Sequence, residues 1–279
     1  MNLNRTYQKK SFLIILMFLF SLFFQACATT PEDAGVSEEE INAESAKAYV
    51  ELKSSPKIKI SNNKAWTAMV QRISQRIAAA SGKNYQWEYV LIDSPEINAW
   101  CMPGGKIAVY TGIIPVVKTE AALAAVLGHE VAHATLKHGL QNYARAKNEN
   151  LAGLIIGGAA ILGGQVLCKT DQCRQYAQIG GAAAGIAITF FNRKFSREDE
   201  SSADHEGQLY MARAGYEPTE SIRLWERMAA ANQGKAGPEF MSTHPSDEHR
   251  QQNLTKWLPV AQTEYEKAPN KFGLGEALR

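Results

Sequence analysis

The sequence predicts an α+β domain, mainly helical, with a small antiparallel sheet packed beside one central helix. Three observations carry that expectation. An Ala-rich run from Ala121 to Leu140 contains His129-Glu130-x-x-His133 at helical spacing. Three short extended stretches precede it at 87–93, 98–102 and 106–111, separated by Ser94-Pro95 and Pro103-Gly104-Gly105. Elsewhere apolar residues recur at intervals of three and four, as Trp66, Met69, Val70, Ile73 and Ile77 do. With 279 residues, 45% of them hydrophobic and 21% charged, the chain can bury one large core. A net charge of +2 gives no reason to expect a nucleic-acid partner.

Residues 1–26 read as a lipoprotein signal peptide. Arg5, Lys9 and Lys10 precede an apolar run from Phe12 to Phe24 that is short for a spanning helix. Ala26-Cys27 at its end matches a lipobox, with cleavage before Cys27 and lipid on its sulfur, although Phe24 stands where Leu is preferred. A cleaved secretory signal and an uncleaved anchor are the alternatives. Ala28 lies where lipoproteins held at the inner membrane carry Asp, so the expected address is the bacterial outer membrane, lipid-anchored and facing the periplasm. Residues 27–45, small and acidic, then read as a lipidated tether.

The domain proper is expected over residues 46–260. Helices at 44–54 and 62–81 lead into the three strands, and Thr119-Glu120 opens the motif helix. Residues 151–191 form an apolar, Gly- and Ala-rich helical hairpin, each arm short of the roughly 20 residues a membrane span needs. Cys168 and Cys173 flank its polar turn, where a local disulfide is favoured over zinc ligation because no second pair exists. Cys101 reads as a small buried residue. A charged helix follows over 192–209, then one through Leu224, Trp225 and Met228, and a terminal helix over 247–258. Residues 261–279 have weak periodicity and read as a loosely held tail.

A helix advances about 100° per residue, so His129 and His133 share a face and can grip one zinc ion. Glu130 beside them is placed to take a proton from water. A catalytic zinc takes three protein ligands. Candidates for the third are His138, His205, His244, Glu198, Asp199 and Glu200. On a continuous helix His138 is rotated about 140° from His133, so it reads as a helix-end or surface residue. Position alone does not choose among the others.

His-Glu-x-x-His followed by Glu200-Ser201-Ser202-Ala203-Asp204 resembles the paired motifs of the HtpX-like and BepA-like zinc metalloproteases, a family that includes the CAAX prenyl proteases. Asn98-Ala99 with Pro103-Gly104-Gly105, and Ser242-Thr243-His244-Pro245 with Arg250, agree in the same order across 85–255. The lipoprotein signal resembles small outer-membrane members of the LoiP type. The resemblance implies a zincin-like metalloprotease domain holding one Zn²⁺ per chain, with Glu200 as third ligand and Glu130 as general base. It implies that Asp204 accepts a hydrogen bond from a ligand histidine. Asn98 and Ala99 would lie on an edge strand that pairs with extended substrate. His244 would stand near the metal, as oxyanion donor or fourth ligand, and Arg250 would polarise a carbonyl.

The expected function is a membrane-anchored zinc endopeptidase that cleaves misfolded or misassembled proteins of the bacterial envelope. The alternative is a non-enzymatic chaperone or assembly lipoprotein binding unfolded chains in the same groove, where Glu130 would have no use. A purely structural zinc lacks a fixed fourth Cys or His unless His244 closes the site.

Overall fold

Residues 31, 34–148, 168–191, 194–231, 240, 244, 249–274 and 278 are described in a computed structural model. The expected signal peptide, Cys27, most of the first residues of the expected tether and the first arm of the expected hairpin lie outside them. Strands β1 (Glu88–Ile92), β2 (Ala99–Met102) and β3 (Lys106–Tyr110) form one sheet in the order β1-β3-β2. β2 and β3 are antiparallel through the Pro-Gly-Gly turn, in which Gly104 and Gly105 both have positive φ. β1 and β3 are parallel, so the sheet is mixed rather than wholly antiparallel. The cause is the short link at 93–98, which carries the chain to the far edge before β3 inserts. Where β3 leaves under that link only glycine fits, since a Cβ on Gly112 would lie 2.2 Å from the Pro95 carbonyl oxygen.

Alternate residues of each strand enter different cores. Leu91, Ala99, Cys101, Ile107 and Val109 join the core that holds the His-Glu-x-x-His helix. Val90, Ile92, Trp100, Met102, Ala108 and Tyr110 face the other way. The second face is covered by α1 (Glu38–Ser54), whose Ile41, Ala48, Tyr49 and Leu52 are buried. The expected tether is thus part of the domain from Glu38 onward. α2 (Lys64–Ala80) packs against β1 and the motif helix.

After the single turn α3 (Ile114–Val117), Thr119 caps α4 (Glu120–Thr135), its Oγ1 accepting the Ala122 N–H at 3.1 Å. Ala121 through Thr135 are all buried. The helix expected to reach Leu140 stops at Thr135, because Lys137 turns left-handed at φ 63° and α5 (His138–Asn148) starts in a new direction.

The described half of the hairpin region consists of α6 (Asp171–Ala177), α7 (Gly181–Ile186) and a wide turn at Ala187–Phe191. Cys168 and Cys173 are joined by a disulfide, and Cys101 is a buried free thiol. This region backs the sheet beside α1. Among the described residues no helix is long and apolar enough to cross a membrane.

α8 (Arg197–Arg213) crosses α4 with backbones touching. A Cβ on Gly207 would lie 2.6 Å from the His129 nitrogen, and one on Gly128 would lie 2.5 Å from the Gly207 oxygen. α9 (Thr219–Ala231) and α10 (Arg250–Lys267) close the far side. The boundary expected at 260 falls inside α10, where Ala261 and Tyr265 are buried. Beyond it the tail is held: the Phe272 N–H donates to the Gly215 carbonyl at 2.8 Å, and the Leu278 N–H to that of Lys118 at 2.8 Å.

Candidate metal centre

The α4–α8 crossing lays Glu200 and Asp204, one turn apart on α8, against His129 and His133, one turn apart on α4. Local chemistry on α8 separates the three acidic candidates. Glu198 is exposed. Asp199 completes a capping box with Ser196, each accepting the other's backbone N–H at 3.0 Å. Glu200 is buried with its carboxylate against His129 and His133. His205 turns outward and packs on Trp257.

Among the described residues one group is arranged to hold a metal ion: His129, His133, Glu200 and His244, with one ligand atom from each lying within 4.8 Å of the others. The Nε2 atoms of His129 and His133 are 3.0 Å apart. His244 Nδ1 is 3.2 Å from His129 Nε2 and 2.9 Å from Glu200 Oε1, which is 3.4 Å from His133 Nε2. Ligand atoms of a tetrahedral zinc, each about 2.0–2.1 Å from the ion, lie roughly 3.3 Å from one another. These four separations are close to that spacing, and the donor types, imidazole and carboxylate, suit zinc.

The electrostatics agree with metal ligation. Burial drives His129 and His133 below the usual imidazole range, leaving lone pairs free. Burial alone would raise Glu200, but His244 and Arg250 hold it well below the usual carboxylate range. Burial pushes the Glu130 carboxyl up to about 7, against the pull of His244, with Glu200 adding to the rise and a Cys101 backbone hydrogen bond opposing it. Its buried Oε1 has no hydrogen-bond partner among the described residues and stands 3.4 Å from His244 Nε2, as a group poised to exchange a proton would.

Asp204 Oδ1 lies 3.0 Å from His129 Nδ1, the contact the resemblance implied. Arg250 takes a different place from the expected one. Its Nη1 is 2.8 Å from Glu200 Oε2, its Nε and Nη2 both donate to Asp204, and its guanidinium lies 3.5 Å over the Trp225 ring. Committed to two carboxylates, it braces the ligand set from behind instead of polarising a substrate carbonyl.

β2 is an edge strand of the sheet and packs against α4. Asn98 is buried, its carbonyl accepting the Tyr110 N–H at 3.1 Å and its Oδ1 accepting the Ala99 N–H at 2.9 Å. Pairing alternates along an antiparallel ladder, so Ala99 and Cys101 turn their backbone groups away from β3. The Ala99 N–H is taken by Asn98 and the Cys101 N–H by the Glu130 carboxylate, which leaves the two carbonyls turned toward the edge. Just before it, the Ile97 carbonyl accepts the Phe240 N–H at 3.3 Å, and Phe240 stacks on His244 at 4.6 Å. The ring stacked on His244 therefore belongs to a residue that is also bonded to the segment leading into β2.

His138, set aside by the sequence reading, is buried beside the site, with its Nδ1 2.9 Å from His133 Nδ1. An offset of about 140° from His133 holds only on an unbroken helix, and Lys137 breaks this one. Three of the six histidines fall between 129 and 138, and that clustering is the signal that pointed here. Phe195, stacked on His133 with centroids 3.9 Å apart, carries no such signal.

A family model described as peptidase family M48 matches residues 63–258. The mitochondrial metalloendopeptidase OMA1 of Schizosaccharomyces pombe is 35% identical over 72% of this chain and 55% of its own length. Its human counterpart is 31% identical over 63% of this chain and 33% of its own length. The beta-barrel assembly-enhancing protease of Escherichia coli is 25% identical over 68% of this chain and 38% of its own length. The chain spans about half or less of these relatives. Because the relatives above 30% identity are named as mitochondrial, the expectation of a bacterial outer-membrane address is overturned.

Proposed function

The chain belongs to peptidase family M48, and from that premise we propose that it is a zinc-dependent endopeptidase, attached to a membrane through its N-terminal segment, that cuts misfolded or misassembled proteins. The observation that carries this reading is the convergence of His129, His133, Glu200 and His244 with Glu130 beside them. A module that only bound unfolded chains would have no use for a buried carboxyl at Glu130.

His129 and His133 through Nε2, and Glu200 through its carboxylate, would hold one zinc ion, which when bound supplies a Lewis acid and lowers the pKa of water. Glu130 takes the proton of the attacking water and passes it to the departing amine. Asp204 holds His129 with its Nδ1 protonated, so that Nε2 is the free ligand atom. His244 would offer the ion a fourth donor in this conformation, and it would have to withdraw to make room for a peptide carbonyl. Once withdrawn, it can donate to the oxyanion. The edge of β2, where the Ala99 carbonyl next to Asn98 turns away from β3, can pair with an extended backbone, which favours unfolded or flexible polypeptide. One relative is named a beta-barrel assembly-enhancing protease, and that name supports a role connected with protein assembly. The apolar run before Cys27 supports attachment by lipid, which the mass of the mature N-terminus reports.

Glu130→Gln tests the reading on the full chain with casein as substrate. Hydrolysis falls by about 10²–10⁴-fold, while one zinc per chain survives dialysis. Cleavage at the wild-type rate would sink the assignment.

A further inference from the structure

Every ligand histidine has two nitrogens, and only the bare one can bind a metal, so something must choose which. For His129 the choice is made by Asp204. We infer that His138 does the same for His133, as a positioning residue that accepts the His133 Nδ1–H and leaves Nε2 bare toward the ion. This inference rests on the zinc reading of the site.

The hydrogen-bond network determines each tautomer in turn. Ser202 Oγ lies 2.9 Å from the Glu198 carbonyl and 3.0 Å from that of Asp199, two acceptors that take its one proton. Its oxygen, 3.3 Å from His138 Nε2, is then left to accept. Asp199 Oδ1, 3.6 Å from the same nitrogen, favours a proton there too. With its proton on Nε2, His138 presents a bare Nδ1, and the atom 2.9 Å away is His133 Nδ1. That contact requires one proton between two nitrogens, so His133 carries it. His133 Nε2 is therefore bare, and it is the atom 3.0 Å from His129 Nε2 and 3.4 Å from Glu200 Oε1.

Phe195 stacks on the His133 ring and fixes its plane, but a ring face cannot tell one nitrogen from the other. A half-turn of His133 about its Cβ–Cγ bond would break the His138 bond, so His138 opposes the flip as well as the wrong tautomer. α8 thus supplies a ligand in Glu200, orients His129 directly through Asp204, and orients His133 at one remove through Ser202 and Asp199.

Two variants of the full chain separate positioning from packing. His138→Phe keeps a ring and removes the acceptor, while His138→Asn restores an acceptor oxygen near the place of Nδ1. Zinc affinity, read by competition with a chromophoric chelator, is expected to fall about 10- to 100-fold in His138→Phe and to recover most of that in His138→Asn. Thermal unfolding of the zinc-free forms should not follow that order. Wild-type affinity in His138→Phe, or equal weakness in both variants, overturns the inference. A second measurement needs no variant: ¹⁵N spectra of the zinc-loaded wild type should show N–N coupling between the two Nδ1 atoms. A proton found on His138 Nδ1 overturns the inference even if His138→Phe fails to fold. A wild type that holds no zinc would instead bring down the reading of the site itself.

Discussion

Arg250 is buried with its guanidinium between Asp204 and Glu200, and it shares the neutralisation of that pair with His244, whose Nδ1 stands 2.9 Å from Glu200 Oε1. Burial alone would lower its pKa, but the two carboxylates hold it above its ordinary value, so it is charged at every working pH. Removing one member of a buried charge cluster leaves the others uncompensated in a dry interior, which costs about 3–5 kcal/mol. Arg250→Met is therefore expected to destabilise the zinc-free protein by that order, measured by urea denaturation in chelator. With zinc present the loss should shrink, because the ion takes over part of the neutralisation of Glu200. Equal losses in both conditions would mean that Arg250 acts through packing on Trp225 alone. The same arrangement explains why Arg250 could be named from the sequence while its role could not. A motif marks the residue as near the metal, but whether it faces the substrate or the ligands depends on where α10 begins.

At the scale of elements, the metal centre is a consequence of how closely α4 and α8 approach. Gly128 and Gly207 let the two backbones touch, and that contact sets the distance between the two histidines and the Glu200–Asp204 pair. Gly207→Ala drives a methyl group into the His129 backbone, and such overpacking costs about 1–3 kcal/mol. The variant should also bind zinc more weakly, since α8 carries a ligand and both orienting networks away from α4 together. Unchanged chelator competition alongside a lowered melting temperature would show that the crossing is not what sets the ligand spacing. Much of this level was legible beforehand. Thr119 as a cap, the apolar spacing of α2 and the Pro-Gly-Gly turn between β2 and β3 are local signals, and each element formed where they lay. The break after α4 was not legible, because Leu136 and Lys137 are ordinary helix formers and tertiary packing imposes the left-handed turn. That hidden break is why His138 looked rotated away from the site. The parallel pairing of β1 with β3 was hidden for a similar reason, since hairpin signals describe neighbours in sequence and β1's partner is not its neighbour.

For the molecule as a whole, two cores meet across the sheet, and neither is organised around the metal. One holds α2, α4, α8 and α9 with one face of the sheet, and the other holds α1 and the region around Cys168–Phe195 with the opposite face. The C-terminal tail, read from the sequence as loose, ties the first core shut from outside. Phe272 lies under the Arg76 guanidinium at 3.4 Å, and Leu278 bonds to the loop before α4. Its weak periodicity concealed this because a strap held by a few backbone bonds needs no helical or strand pattern. Since α4 is buried along its length by protein alone, the fold should survive loss of the ion. Binding adds stability only by mass action, about 2.7 kcal/mol when free zinc is a hundred times its dissociation constant. For a domain of this size that corresponds to a shift of roughly 5–10 °C in melting temperature. Dialysis against chelator is therefore expected to lower the midpoint by that order, while helical circular dichroism at 25 °C and a single cooperative transition persist and peptidase activity disappears. Readdition of zinc should restore both midpoint and activity. Collapse of the helical signal on chelation would instead assign the ion a structural role, with His244 as a permanent fourth ligand.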